Sequence, residues 1–182
     1  FGQSNYGAAK MGLVGLMNIF ARTLGGAFSD KFAAKSGLSG RVRFLFLTLF
    51  IEGIALVAFS MMDALLIAVS MMVVFSLFVQ MSEGATFGIV PFINRKALGS
   101  VAGIVGAGGN AGAVAAGFLF KSEALTYQEG LMYLGFAVII CSFATLAVRF
   151  SEATVTEEKA RFEKAMLERN GALSGAQAVP AE

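Results

Sequence analysis

Apolar residues in this chain come in long unbroken runs, and the charged residues cluster between the runs. Five runs stand out, at about residues 8–29, 44–62, 64–93, 99–120 and 130–148. A bilayer core about 30 Å thick needs about 20 apolar residues of helix. The runs lack the period-2 alternation of a membrane strand. Within lipid every backbone amide must find its partner inside its own segment, and a helix does that. The expected fold is therefore an all-α membrane protein with five transmembrane helices and a further helix in its tail. The third run would be about 45 Å long as a helix, so it must tilt, kink or protrude. Pro91 near its far end marks a place for a bend.

Between the runs, cations alternate in abundance. Residues 30–43 hold Lys31, Lys35, Arg41 and Arg43, and the fourth run is preceded by Arg95 and Lys96. The turn at Met61, Met62 and Asp63 has no cation, and residues 121–129 have one cation against two anions. The tail carries Arg149, Lys159, Arg161, Lys164 and Arg169. Basic loops belong on the cytoplasmic side, which puts the C-terminus there and the start of the chain on the opposite side. The pattern divides the chain into a membrane part, 1–150, and a cytoplasmic tail, 151–182. In the tail, Thr154 and Glu157 fit a capping box. Glu157/Arg161, Lys159/Glu163 and Lys164/Glu168 are spaced i,i+4. A solvated helix over about 155–169 is expected, ended by Asn170 and Gly171, with 171–182 disordered. Residues 1–7 show neither a start Met nor a signal peptide, so a piece of a larger membrane protein is expected.

Composition narrows the chemistry. The chain is 57% apolar and 14% charged, with a mean hydropathy of +0.74. That excludes a disordered chain and weighs against a soluble globule of 182 residues. Cys141 stands alone, so no disulfide framework or Cys-based zinc site is available. With no His, zinc triads and Ser-His-Asp catalysis are excluded. No enzyme activity, metal or cofactor is expected. Nucleic acid is not an expected partner either, because the cations serve topology.

Three ionisable residues lie inside the runs: Arg22, Glu52 and Glu83. A charge at the bilayer centre costs at least about 2.5–3.5 kcal/mol, so each needs a reason. One reading pairs Arg22 with a glutamate to hold helices together. The other has Arg22 facing a water-filled path and binding an anion. Gly15, Asn18, Arg22 and Gly25/Gly26 fall at helical spacing, giving one small, polar face. The fourth run holds Gly99, Gly103, Gly106, Gly108, Gly109, Asn110, Gly112 and Gly117. A dinucleotide fingerprint is rejected, because that motif needs a strand before it and a soluble βαβ unit. Gly99/Gly103 and Gly108/Gly112 are small-xxx-small pairs that let helix backbones approach. Gly103, Gly106 and Gly112 are candidates for helix packing or for lining a path. Gly108, Gly109 and Asn110 are candidates for contact with a small solute, Asn110 adding a donor and an acceptor.

Three strings carry a family resemblance. Residues 18–31 (NIFARTLGGAFSDK), 84–99 (GATFGIVPFINRKALG) and 103–112 (GIVGAGGNAG) resemble the eighth, tenth and eleventh spans of nitrate/nitrite porters of the major facilitator superfamily. The likeness covers about residues 5–150 and is strongest to algal and plant-type high-affinity nitrate transporters. Gly26, Asp30 and Lys31 alone would indicate only the superfamily. The resemblance implies that these are spans eight to twelve of a twelve-span carrier, whose N-terminal half lies elsewhere in a longer chain. It implies that Arg22 binds nitrate, and that Asp30, Lys31, Arg41 and Arg43 form a cytoplasmic loop motif that locks conformations. It also implies a multi-pass protein of the plasma membrane. Thr23 departs from the Pro common in plant relatives.

The chemistry of the substrate agrees with that reading. Nitrate is planar and monovalent, and a guanidinium is a planar, permanently charged fork that meets it with two parallel hydrogen bonds. Yet Arg22 against Glu52 and Glu83 sums to −1 if both carboxyls are ionised. Either the other half adds cation or one glutamate carries a proton. A glutamate that gains a proton with substrate and loses it inside would couple uptake to the proton gradient. Glu52 and Glu83 are the proton-coupling candidates. The expected partners are thus nitrate, protons, the bilayer and the N-terminal half. Nitrite or another small anion is an alternative cargo, and a non-transporting membrane scaffold a rival class. An accessory protein is not legible from these residues.

Overall fold

The computed structural model describes residues 4–121 and 124–177, with side chains described between residues 20 and 168 of those ranges. Residues 1–3, 122–123 and 178–182 lie outside the description, so the part of the expected disordered tail at 178–182 does too. The elements are α1 (Ser4–Ser36), α2 (Leu38–Ser60), α3 (Leu65–Ile93), a 3-10 turn (Arg95–Ala97), α4 (Leu98–Lys121), α5 (Tyr127–Thr145) and α6 (Glu152–Gln177). The chain forms two compact units, Phe1–Val148 and Arg149–Glu182. The fold is all-α, as the runs require. Among the described residues, four stretches are long and apolar enough to cross a membrane: α2, α3, the 3-10 turn with α4, and α5. Helix α1 fills the first apolar run and extends it at both ends.

Glycines decide how the membrane helices pack. A Cβ at Gly84 would run into the carbonyl of Arg22, and a Cβ at Gly25 into the backbone of Met81. Helices α1 and α3 therefore cross backbone against backbone, which only hydrogen at Cα allows. Helices α2 and α5 repeat the device. A Cβ at Gly53 would meet Ile139 and the Gly135 carbonyl, and one at Gly135 would meet Val57 and the Gly53 carbonyl. Beside that contact, Phe143 stands edge-on to Phe46 and Phe50, with ring centroids 5.4 and 6.0 Å away.

Several hydroxyls buried between helices bond to their own helix, while Ser29 Oγ and Arg41 Nε are buried with no hydrogen-bond partner among the described residues. Thr48 is 1% exposed, and its hydroxyl has the carbonyls of Phe44 and Leu45 on its own helix in reach as alternative acceptors for its one hydrogen. Ser142 donates to the Ile139 carbonyl. This back-bonding lets hydroxyls sit in an apolar interior. The outward faces are apolar: Leu65, Leu66, Ile104 and Ile140 are at least 70% exposed. Such surfaces suit acyl chains and not water.

Three expectations change at the helix ends. The basic stretch after the first run is not an open loop. Helix α1 continues to Ser36, Gly37 turns the chain with φ of 63°, and α2 starts at Leu38. A positive φ of that kind favours glycine. Second, the tail helix starts at Glu152 rather than about 155, because Ser151 and not Thr154 does the capping: Ser151 Oγ accepts from the Thr154 backbone N–H. It also runs through Asn170 and Gly171 to Gln177, overturning the stop at 169 and the disorder of 171–177. One Gly within a helix costs only about 1 kcal/mol, and the neighbouring Ala and Leu favour helix. Third, the capping box lies at Thr126 and Glu129, opening α5. The long third run becomes one unbroken helix of 29 residues, with Pro91 in its final turn and Asn94 Oδ1 capping the 3-10 turn that follows.

Gly84→Val should destabilise the membrane unit by about 1–3 kcal/mol through overpacking. Gly26→Ala, whose Cβ would meet nothing within 4 Å, should shift stability by less than about 0.5 kcal/mol. Thermal melts of detergent-solubilised protein check both.

Candidate functional site

The α1–α3 crossing puts side chains together as well as backbones. Gly84 touches Arg22, so its neighbour Glu83 comes within reach of the same residue. Arg22 Nη2 donates to Glu83 Oε1 at 2.5 Å. One turn further along α3, the Phe87 ring lies under the guanidinium, 5.3 Å from Cζ to centroid. Glu83 and Phe87 are i,i+4 and share a face. Arg22 is thus held between a carboxylate and an aromatic face. Neither charge is enclosed: the side chains are 47% and 41% exposed.

Glu52 sits apart from that pair. It is 9% exposed on α2, and its Oε2 lies 2.7 Å from the Ser82 hydroxyl of α3. Ser82 precedes Glu83, so two consecutive residues of α3 bind the two neighbouring helices. The two glutamates do not form a shared site; each has its own partner.

The basic loop motif assembles on the α1–α2 hairpin. Arg41 Nη1 pairs with Asp30 Oδ1 at 2.6 Å. Arg41 and Arg95 both lie over the Phe92 ring, at 4.9 and 5.7 Å. Lys31 lies over Phe28, and Arg43 is exposed. Helices α1, α2 and the end of α3 are thereby tied at one end of the unit.

Helix α4 stands differently. It buries no residue. A Cβ at Gly103, Gly106, Gly108, Gly109 or Gly112 would meet nothing within 4 Å among the described residues, and Asn110 is exposed. The close packing expected of these glycines is made instead by Gly25, Gly84, Gly53 and Gly135. Asn18 lies on α1, but its side chain is outside those described.

Of the residues singled out in the sequence, the structure therefore joins Arg22 to Glu83 and Asp30 to Arg41. Ser82, Gly84 and Phe87 were missed. Their signal is the run Ser82, Glu83, Gly84, two polar residues and a glycine within an apolar helix.

No family model matches the chain, and no solved structure matches it. Curated relatives do. The chain is 38% identical over 139 residues to the high affinity nitrate transporter 2.5 of Arabidopsis thaliana, covering 76% of this chain and 28% of the relative. It is 34% identical over 158 residues to nitrate transporter 2.2 of Chlamydomonas reinhardtii, covering 82% and 31%. It is 39% identical over 102 residues to the nitrate/nitrite transporter NrtP of a Picosynechococcus strain, covering 54% and 18%. The chain thus spans under a third of the length of these relatives.

Either charge left alone inside a span is costly. A double-mutant cycle of Arg22→Gln and Glu83→Gln, read by melting in detergent, should give a favourable coupling of at least about 1 kcal/mol, each single variant destabilising more than the double.

Proposed function

Because the chain belongs to the nitrate/nitrite porter family, we propose that it supplies the C-terminal membrane part of a carrier that moves nitrate together with protons. The observation that carries this reading is the Arg22–Glu83 pair, half-exposed within the membrane unit. At rest Arg22 and Glu83 sum to zero charge. Nitrate binding to Arg22 displaces Glu83, and a carboxylate left alone at that depth is costly. If Glu83 takes a proton as nitrate takes the guanidinium, the sum is again zero. The anion gains the planar fork, and no net charge is added to the low-dielectric interior. Proton and nitrate then leave together on the other side, where Glu83 ionises and reclaims Arg22.

The remaining parts follow from this exchange. Alternating access moves the site between the two faces, with the N-terminal half supplying the opposite wall and further cation. The open face of α4, with Gly108, Gly109 and Asn110, lines the path. The hairpin at Asp30 and Arg41 faces the cytoplasm together with the C-terminal tail, in the plasma membrane. The cyanobacterial relative is named for nitrate and nitrite both, and nitrite, also a flat oxyanion, is the second cargo.

In a full-length carrier containing this chain, Arg22→Lys keeps the charge and loses the fork. It should raise the nitrate KM at least about tenfold. Glu83→Gln should still bind nitrate but lose proton-driven accumulation, measured as uptake into proteoliposomes with an imposed pH gradient. Wild-type coupling in Glu83→Gln would overturn the exchange.

A further inference from the structure

The Glu52–Ser82 contact contains more acceptors than Ser82 has hydrogens. Ser82 Oγ lies 2.7 Å from Glu52 Oε2 and 2.9 Å from the Val79 carbonyl oxygen. Both are hydrogen-bond distances, and the hydroxyl carries one hydrogen. If Ser82 donates to the carboxyl, two oxygens face each other at 2.9 Å with no hydrogen between them. If Ser82 donates to Val79, the contact with Glu52 needs a hydrogen that only the carboxyl can bring. The second arrangement puts a hydrogen in both short contacts, as a one-way chain from Glu52 to Ser82 to Val79.

The surroundings agree with that count. Glu52 is buried, and the partner it reaches is a hydroxyl rather than a cation. Among the described charged groups of the packed elements, Arg22 of α1 pairs with Glu83 of α3, Asp30 of α1 pairs with Arg41 of α2 itself, Lys31 of α1 lies over Phe28, and Lys35 of α1 and Arg43 of α2 are exposed. Helix α5 meets α2 through Gly135 and Ile139, and its titratable residues are Tyr127, Glu129, Tyr133 and Cys141. A buried, unpaired carboxylate would carry a large desolvation cost; a carboxylic acid with an acceptor in front of it would not.

We propose that Glu52 is a neutral hydrogen-bond donor and a positioning residue, acting through Ser82 to fix the rotation of α3 that sets Glu83 against Arg22. The inference rests on the nitrate reading above for its consequence, though not for the state of Glu52. It separates the roles of two intramembrane carboxyls. Glu83 exchanges its proton with each cycle; Glu52 keeps its own. The neighbouring Thr86, which donates to the Ser82 carbonyl at 2.8 Å, continues the polar stripe along α3.

Glu52→Gln, Glu52→Leu and Ser82→Ala, each in the full-length carrier, test the proposal. Glu52→Gln keeps a donor and no titration, so nitrate KM should stay within about twofold of wild type, with an unchanged pH profile. Glu52→Leu and Ser82→Ala break the chain. They should raise KM about tenfold with a smaller change in Vmax, since Glu83 then meets Arg22 less well. Infrared spectra at neutral pH should show a protonated-carboxyl C=O band that Glu52→Gln removes, with or without nitrate. Absence of that band overturns the proposal without touching the nitrate reading. Loss of proton-driven accumulation in Glu52→Gln overturns it too, because Glu52 would then be a carrier of the coupled proton. Wild-type KM in both chain-breaking variants overturns the positioning role.

Discussion

Everything at the candidate site depends on one close approach, that of α1 and α3 at Gly25 and Gly84. Where the Arg22 carbonyl fills the space a Cβ would need at Gly84, the two helices cannot slide or rotate far without clashing. The residue before Gly84 on α3, Glu83, is then delivered to Arg22 itself. The ion pair is a consequence of that contact more than its cause. Dispersion across a tight backbone crossing acts over many atoms, so the crossing does not rest on the ion pair alone. This division leaves the pair free to open without loss of the fold, as a binding site requires.

Charge conservation gives the second constraint. Arg22 and Glu83 cancel each other, and Glu52 faces a hydroxyl. The membrane unit therefore meets the bilayer with its interior charges matched or masked. A monovalent anion entering such a place brings an unmatched charge unless a proton comes with it. In the proposed exchange, coupling rests on electrostatics before it rests on conformational change. The pair at Arg22 lies about two helical turns along α1 from the pair at Asp30 and Arg41, so movement of α1 relative to α3 is felt at both.

Much of this was legible in the residues. Charge clusters bounded the helices, because lipid allows few charges inside a span, and Arg22, Glu52 and Glu83 stood out for the same reason. The pairing of Arg22 with a glutamate was one of two readings open from the sequence. The identity of that glutamate was not, since it depends on which helices are neighbours. Glycines misled in an instructive way. Spacing drew the eye to α4, where small residues are densest, yet α4 buries nothing here, and single glycines on α1, α2, α3 and α5 make the tight contacts. A small-xxx-small pattern shows that a helix can be approached, and not by what. The tail helix ran past Asn170 and Gly171 because helix breakers act as weak penalties when the flanking residues favour helix.

In the proposed exchange, nitrate and Glu83 compete for the same guanidinium. Calorimetry of nitrate binding to the full-length carrier, repeated in buffers of different ionisation enthalpy, counts protons taken up with the anion. The exchange predicts uptake of about one proton per nitrate at pH values where Glu83 is ionised, and none in Glu83→Gln. Nitrate binding with no proton uptake in the wild type would show that Arg22 and Glu83 stay paired while the anion sits elsewhere.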